Sequence, residues 1–185
     1  ATKFVDKFYP EWDLWNQFVE DAMNAAMGLD SLKNTHPIDV KVNSTSEIRE
    51  IFDAISYDKG GCVLRMLEHY VGESNFQKGL KRYLADFKYK NAEGQDLWDA
   101  IGKISKMPVR AMVLTWLKQP GFPVVEIEKQ DSILHLKQRR YMLESDKKSN
   151  GLWSIPLSIG LKDELFQKLF TKKSMSVKLP KDNIG

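Results

Sequence analysis

The sequence predicts an α+β fold in which a bundle of short helices is followed by antiparallel strands. Three observations carry that prediction. Apolar residues recur at helical spacing from Trp12 to Leu117, the period of helices that bury one face. Gln119-Pro120-Gly121-Phe122-Pro123 then places two prolines around a glycine, a run that ends helices and makes turns. Beyond it apolar and polar residues alternate, most strictly at Trp153, Ile155, Leu157, Ile159 and Leu161, the period of half-buried strands. The 185 residues therefore divide into a helical part, 1–119, and a strand part, 120–185.

The elements follow in order. Phe4, Phe8 and Tyr9 belong to a short helical tail that Pro10 interrupts. Trp12, Trp15, Phe18, Val19, Ala22, Met23 and Ala26 share one face of the next helix, with Gly28 as its C-terminal cap. His36-Pro37 marks a loop with an extended segment. Ser44 and Glu47 have capping-box spacing before Ile48, Ile51, Phe52 and Ile55. A new helix starts at Ser56 and runs through Val63, Leu64, Leu67, Tyr70 and Val71 to Gly72. Ser74 and Gln77 cap another, carrying Phe76, Leu80, Tyr83, Leu84 and Phe87. Leu97, Trp98, Ile101 and Ile104 follow, then Pro108 in the first turn before Val109, Met112, Val113, Trp116 and Leu117. Five strands are expected around Val125–Ile127, Ile133–Leu136, Trp153–Leu161, Leu165–Phe170 and Met175–Leu179.

Composition narrows the function classes. A hydrophobic fraction of 42% with 29% charged residues is that of a globular chain. The net charge is only +3. Lys137, Arg139, Arg140, Lys147 and Lys148 form the one local basic cluster, read as a solvated strand edge without the aromatic interleaving of a nucleic-acid site. The single Cys62, among Val63, Leu64, Met66 and Leu67, excludes an internal disulfide, suits a buried role and points to a reducing, cytoplasmic setting. No apolar run approaches the roughly 18 residues of a membrane-spanning helix, so neither nucleic acid nor membrane is an expected partner.

Ile55-Ser56-Tyr57-Asp58-Lys59-Gly60-Gly61 has the form of a site element. A tyrosine hydroxyl at a helix junction can donate to a developing oxyanion. Two glycines within a turn suggest close approach of a backbone or substrate. A half-buried core tyrosine beside glycines that merely permit tight helix packing accounts for the same pattern. His36, His69 and His135 have no metal-ligand spacing, and no Ser/His/Asp or Cys/His grouping stands out. His36 reads as an ordered loop residue, and the tryptophans as core.

The order Glu47-Ile48, Ile51-Phe52-Asp53, Ile55-Ser56-Tyr57-Asp58-Lys59-Gly60, Leu64-Arg65-Met66-Leu67 resembles the gluzincin zinc aminopeptidases, the alanyl, puromycin-sensitive and leukotriene-hydrolase relatives. Downstream, Asn91-Ala92, Asp96-Leu97-Trp98 and Trp116-x-x-Gln119-x-Gly121-Phe122-Pro123-Val124 keep the family's order. The Asp30-to-Ile38 segment is most similar to archaeal enzymes acting downstream of the tricorn protease. The resemblance implies the helical half of a thermolysin-like catalytic domain followed by part of an antiparallel β-sandwich. It implies that Tyr57 hydrogen-bonds the oxyanion of the tetrahedral intermediate. It also implies peptide substrates with a free N-terminus, and zinc in the complete parent enzyme. The family's His-Glu-x-x-His, zinc glutamate and Gly-x-Met-Glu-Asn loop are not in this sequence. The expectation is therefore a fragment beginning after the metal site, with no metal residues of its own, inactive alone and lacking its enzyme's remainder. An incomplete sheet adds an expectation of self-association through the strand part. A stand-alone helical and β interaction module without catalysis is the alternative.

Overall fold

The computed structural model describes residues 2–42, 44–45, 47–144, 151–161 and 164–179. The chain opens with α1 (Thr2–Phe8) and a 3₁₀ turn at Pro10–Trp12. α2 (Leu14–Gln17) widens into a π-helical stretch, Phe18–Met23, and returns to α3 (Asn24–Asp30). The expected cap at Gly28 is thus a correction: Gly28 lies inside α3, which continues to Asp30. After α4 (Glu47–Glu50), a second π-helical turn, Ile55–Lys59, leads into α5 (Gly60–Val71). Gly72, at φ +82°, ends α5 and starts α6 (Glu73–Asp86), so Ser74 sits within the first turn rather than capping it. α7 (Gly94–Ser105) opens with a capping box between Glu93 and Asp96. Pro108 directly precedes α8 (Val109–Leu117).

The helical core joins Val63, Leu67 and Val71 of α5 to Trp98 and Ile101 of α7 and Val109, Met112 and Val113 of α8. Leu67 and Ile101 are wholly inaccessible; burying a side chain of that size contributes roughly 1.5–3 kcal/mol. α6 approaches α7 so closely at Gly79 that a Cβ there would stand 2.8 Å from the Ile101 Cα. The tryptophans are not all core. Trp12 is 53% exposed and stacks on Tyr9 at 4.6 Å, while Arg65 lies over the Trp15 ring at 4.1 Å.

The alternating segments form β1 (Pro123–Gln130), β2 (Ile133–Arg140), β3 (Ile155–Leu161), β4 (Glu164–Phe170) and β5 (Ser174–Lys178). The order is β1-β2-β5 in one antiparallel sheet and β3-β4 in another. Ile127 pairs with Leu136, Leu136 with Met175, and Ile159 with Phe166. Leu136 and Val177 from the first sheet pack with Phe170, Ile155, Leu157 and Ile159 from the second, the face-to-face arrangement of a sandwich. Buried Gln138 ties β2 to the segments that flank the second sheet. Its amide donates to the carbonyls of Trp153 (3.0 Å) and Lys172 (2.8 Å), and its oxygen accepts the Trp153 N–H (2.9 Å). Ile127 and Leu165 remain 63% exposed. Among the described residues, β1 and β5 each have one unpaired edge, and the β3-β4 pair has two.

The helical part bonds directly to the segment leading into β3. The Trp116 indole donates to the Ser154 carbonyl at 3.0 Å, and the Gln119 amide to Leu152 at 2.8 Å. Asp39 N–H reaches the Leu117 carbonyl and Leu143 N–H the Ser31 carbonyl. Among the described residues no helix is long and apolar enough to cross a membrane.

Candidate active site

Tyr57 stands on the second π-helical turn. Its N–H donates to the Asp53 carbonyl at 3.1 Å, while Asp58 and Lys59 N–H groups both converge on the Ala54 carbonyl at 2.9 Å. That shared acceptor inserts one extra residue into the turn and widens it. Such π turns recur at functional sites because they re-aim a side chain. Residues two apart on a helical turn point to opposite sides: Tyr57 is 62% exposed, Lys59 only 5%. The tyrosine ring meets Phe52 at 5.9 Å. Its hydroxyl therefore sits at the surface while its backbone is held from beneath.

Two sets of contacts hold it. In the first, Asp53 Oδ1 accepts the N–H groups of Ile55 (3.0 Å) and Ser56 (3.1 Å), capping the start of the turn. Asp53 Oδ2 lies 2.7 Å from His36 Nε2, and His36 Nδ1 lies 2.8 Å from the Pro37 carbonyl. Both partners of the ring are acceptors, so both bonds form only when the imidazole carries two protons. Burial opposes that charge, yet the Pro37 carbonyl and the Asp53 carboxylate outweigh it and raise the His36 pKa. For Asp53, burial works upward, but the Ser56 N–H and His36 hold the carboxyl below its ordinary range. His36 is thus an ordered loop residue with a definite partner.

In the second set, Lys59 Nζ forms a 2.8 Å ion pair with Asp30 Oδ2, and the two side chains are only 6% and 2% exposed. Nζ also donates to the Gly121 carbonyl at 3.0 Å. Asp30 Oδ1 accepts the Gly121 N–H at 2.8 Å and the Thr35 hydroxyl at 3.0 Å. Both polar groups of Gly121 are therefore engaged by one ion pair. Burial lowers the Lys59 pKa, Asp30 opposes that shift, and Arg140 adds to it. Gly121 has φ +85°, and the Arg140 side chain occupies the space where a Cβ would go, so only glycine fits. Arg140 also donates to the Leu32 carbonyl at 3.2 Å. It is not the solvated edge residue the basic cluster suggested. Arg139 is exposed and paired with Glu126 at 2.7 Å; Lys147 and Lys148 lie outside the described residues.

A largely apolar cavity of about 260 Å³ adjoins the pair, lined by Met23, Met27, Cys62, Val63, Met66 and Trp116. Its apolar lining keeps the local dielectric low, so the pair's geometry matters more than it would in water. Cys62 is half-buried, and burial and then Asp58 push its thiol upward, the opposite of activation. A Cβ at Gly60 would meet open space, and one at Gly61 only the Phe18 ring at 3.5 Å. Among the described residues no backbone approaches closely there, which corrects the backbone half of the glycine expectation.

His69 Nδ1 lies 2.8 Å from the Arg65 carbonyl, and His135 Nδ1 lies 3.0 Å from Ser176 Oγ. The structure does not bring these together with His36. Among the described residues no group of three or more His, Cys, Asp or Glu side chains could hold a metal ion, so these residues do not fit a zinc site. Lys59, Asp30 and the His36–Asp53 pair, which hold the turn that carries Tyr57, do not stand out in the sequence. A lysine two residues after the tyrosine, inside an otherwise apolar stretch, was the available signal.

The Peptidase family M1 domain matches residues 1–116 of this α+β chain. The chain belongs to that family. It is 41% identical over 169 residues to Aminopeptidase M1-D of Oryza sativa subsp. japonica, covering 91% of this chain and 19% of the relative. It is 45% identical over 157 residues to Tricorn protease-interacting factor F2 of Thermoplasma acidophilum, covering 85% and 20%. It is 44% identical over 159 residues to the Alanine/arginine aminopeptidase of Saccharomyces cerevisiae, covering 85% and 19%. The chain spans about a fifth of the length of these curated relatives.

Proposed function

We propose that this chain is part of a zinc-dependent aminopeptidase that removes N-terminal residues from peptides, and that Tyr57 supplies transition-state stabilisation. The observation that carries this reading is the exposed Tyr57 on a turn fixed by Asp53 and by Lys59. As a peptide carbonyl becomes tetrahedral, its oxygen gains negative charge. A phenolic O–H held at that oxygen donates a hydrogen bond that strengthens as the charge develops. Anchoring the turn beforehand spares reorganisation during the reaction. Zinc belongs to the complete enzyme in this reading, and no ligand for it is assigned to this chain.

The same reading makes residues 1–119 the C-terminal helical part of the catalytic domain and 120–185 an incomplete β-sandwich. Peptides with a free N-terminus are the substrates, the remainder of the enzyme is the main partner, and the setting is cytoplasmic. The aminopeptidase names of relatives from rice and yeast support the substrate class. In the complete enzyme, Tyr57→Phe lowers kcat by roughly 10²–10³ while zinc content and KM change little. The isolated 185-residue chain hydrolyses no aminoacyl substrate. A near-normal kcat for the phenylalanine variant would reduce Tyr57 to a structural residue.

A further inference from the structure

We propose that Lys59 is a positioning residue for the reaction: through Asp30 and Gly121 it fixes the π-helical turn that aims the Tyr57 hydroxyl. The inference rests on the reading of Tyr57 given above. Three features set it apart from ordinary structural support. First, Lys59 and Tyr57 belong to the same turn, separated by Asp58 alone, and face opposite ways. A shift of the lysine anchor therefore moves the tyrosine directly. Second, the anchor has two points on one residue. Lys59 Nζ holds the Gly121 carbonyl at 3.0 Å, Asp30 Oδ1 holds the Gly121 N–H at 2.8 Å, and the ion pair closes the ring at 2.8 Å. Two directional bonds to one residue fix orientation as well as distance. Third, Gly121 has φ +85°, and the Arg140 side chain fills the space where a Cβ would stand.

A buried ion pair is by itself weak evidence for stability, since apolar replacements of similar volume often fold as well or better. Its directionality is what an apolar contact lacks. A misplacement of about 1 Å at a reacting group costs up to roughly 10²-fold in rate, so the anchor has a kinetic role to fill.

The test uses the complete aminopeptidase and two neutral pairs. Asp30→Asn with Lys59→Met removes both charges and the donor to Gly121. Asp30→Asn with Lys59→Gln removes both charges but retains an amide donor there. Neither strands a buried charge, so both are expected to fold and to keep their zinc content. The methionine pair is expected to lose roughly 10- to 100-fold in kcat with KM little changed, and the glutamine pair to recover most of that loss. Added to Tyr57→Phe, the methionine pair is expected to cost nothing further, because its effect passes through the missing hydroxyl.

A methionine pair with normal kcat would overturn the proposal and leave Tyr57's role intact. So would a loss that simply adds to that of Tyr57→Phe. If the methionine pair fails to fold, the glutamine pair decides alone: a folded variant whose kcat falls as far as that of Tyr57→Phe overturns the claim that the donor suffices. A Tyr57→Phe enzyme with unchanged kcat would sink the parent reading, and this inference with it.

Discussion

Replacing Lys59 by methionine while leaving Asp30 in place removes the countercharge from a carboxylate whose side chain is 2% exposed. The Gly121 N–H and the Thr35 hydroxyl remain as its partners. Breaking one side of a buried pair typically costs about 3–5 kcal/mol. The carboxyl has a way out, which is to take up a proton. An ordinary aspartic acid titrates near 3.9, so keeping one neutral at pH 7 costs at most about 4 kcal/mol, at 1.36 kcal/mol per pH unit. The expected destabilisation at pH 7 is therefore about 3–4 kcal/mol. The folded variant then holds a proton that the unfolded chain has released, so acid favours its folded form. The penalty should shrink to about 1.5 kcal/mol at pH 5. Urea denaturation at both pH values, followed by tryptophan fluorescence, reads the difference; Trp116 lines the cavity beside the pair. Asp30 is the smallest of the influences that raise the His36 pKa, so its protonation in the variant weakens His36's low-pH contribution and opposes the narrowing only in small part. A loss below about 1 kcal/mol at pH 7, or one that fails to narrow at pH 5, would refute the reasoning.

Two further outcomes are expected. His36→Gln should destabilise by roughly 1 kcal/mol, the low end for hydrogen bonds to charged groups because the pair is partly solvated. The raised His36 pKa makes its contribution complete below about 6.5 and lost as pH rises through the folded value; the lowered Asp53 pKa makes its contribution complete above about 3.8 and lost as pH falls. The gap between wild type and variant should therefore be widest near pH 5 and close in alkali, as melting temperatures across pH will show; a gap that grows above pH 8 contradicts the charge assignment. The unpaired strand edges and exposed Ile127 and Leu165 should make the chain self-associate through the strand part. Sedimentation velocity at rising concentration tests this, with a concentration-independent monomer as the contrary result.

Periodic features were legible in the sequence. Val63, Leu67 and Val71 recur at the helical period and lie in the core, and the alternation through Ile155–Leu161 became a strand. The π turns left no trace, because a hydrogen bond that skips one residue farther has no side-chain signature. Ser74 looked like a cap, but Gly72 at φ +82° ends one helix and begins the next in a single residue. Trp12 was expected inside and lies outside, since spacing gives a helix's faces without saying which is covered. Tyr57 stood out in the sequence as a tyrosine at a helix junction; the residues that hold its turn did not. Lys59 lies 62 residues from Gly121, and Gly121 lies 91 from Asp30. No periodicity spans such intervals; only the fold brings these residues together.

The run from Gln119 to Pro123 looks like a seam where a chain could be cut, with its prolines, its glycine and its change of pattern. Mechanically it is a weld. Gly121 is the residue on which α3, the tyrosine's turn and the first strand are all fastened. A truncation after residue 119 would remove that fastening, leaving Lys59 with Asp30 alone and Asp30 with Lys59 and the Thr35 hydroxyl. Trimming away the strands would loosen the tyrosine from behind, with its own turn's sequence untouched.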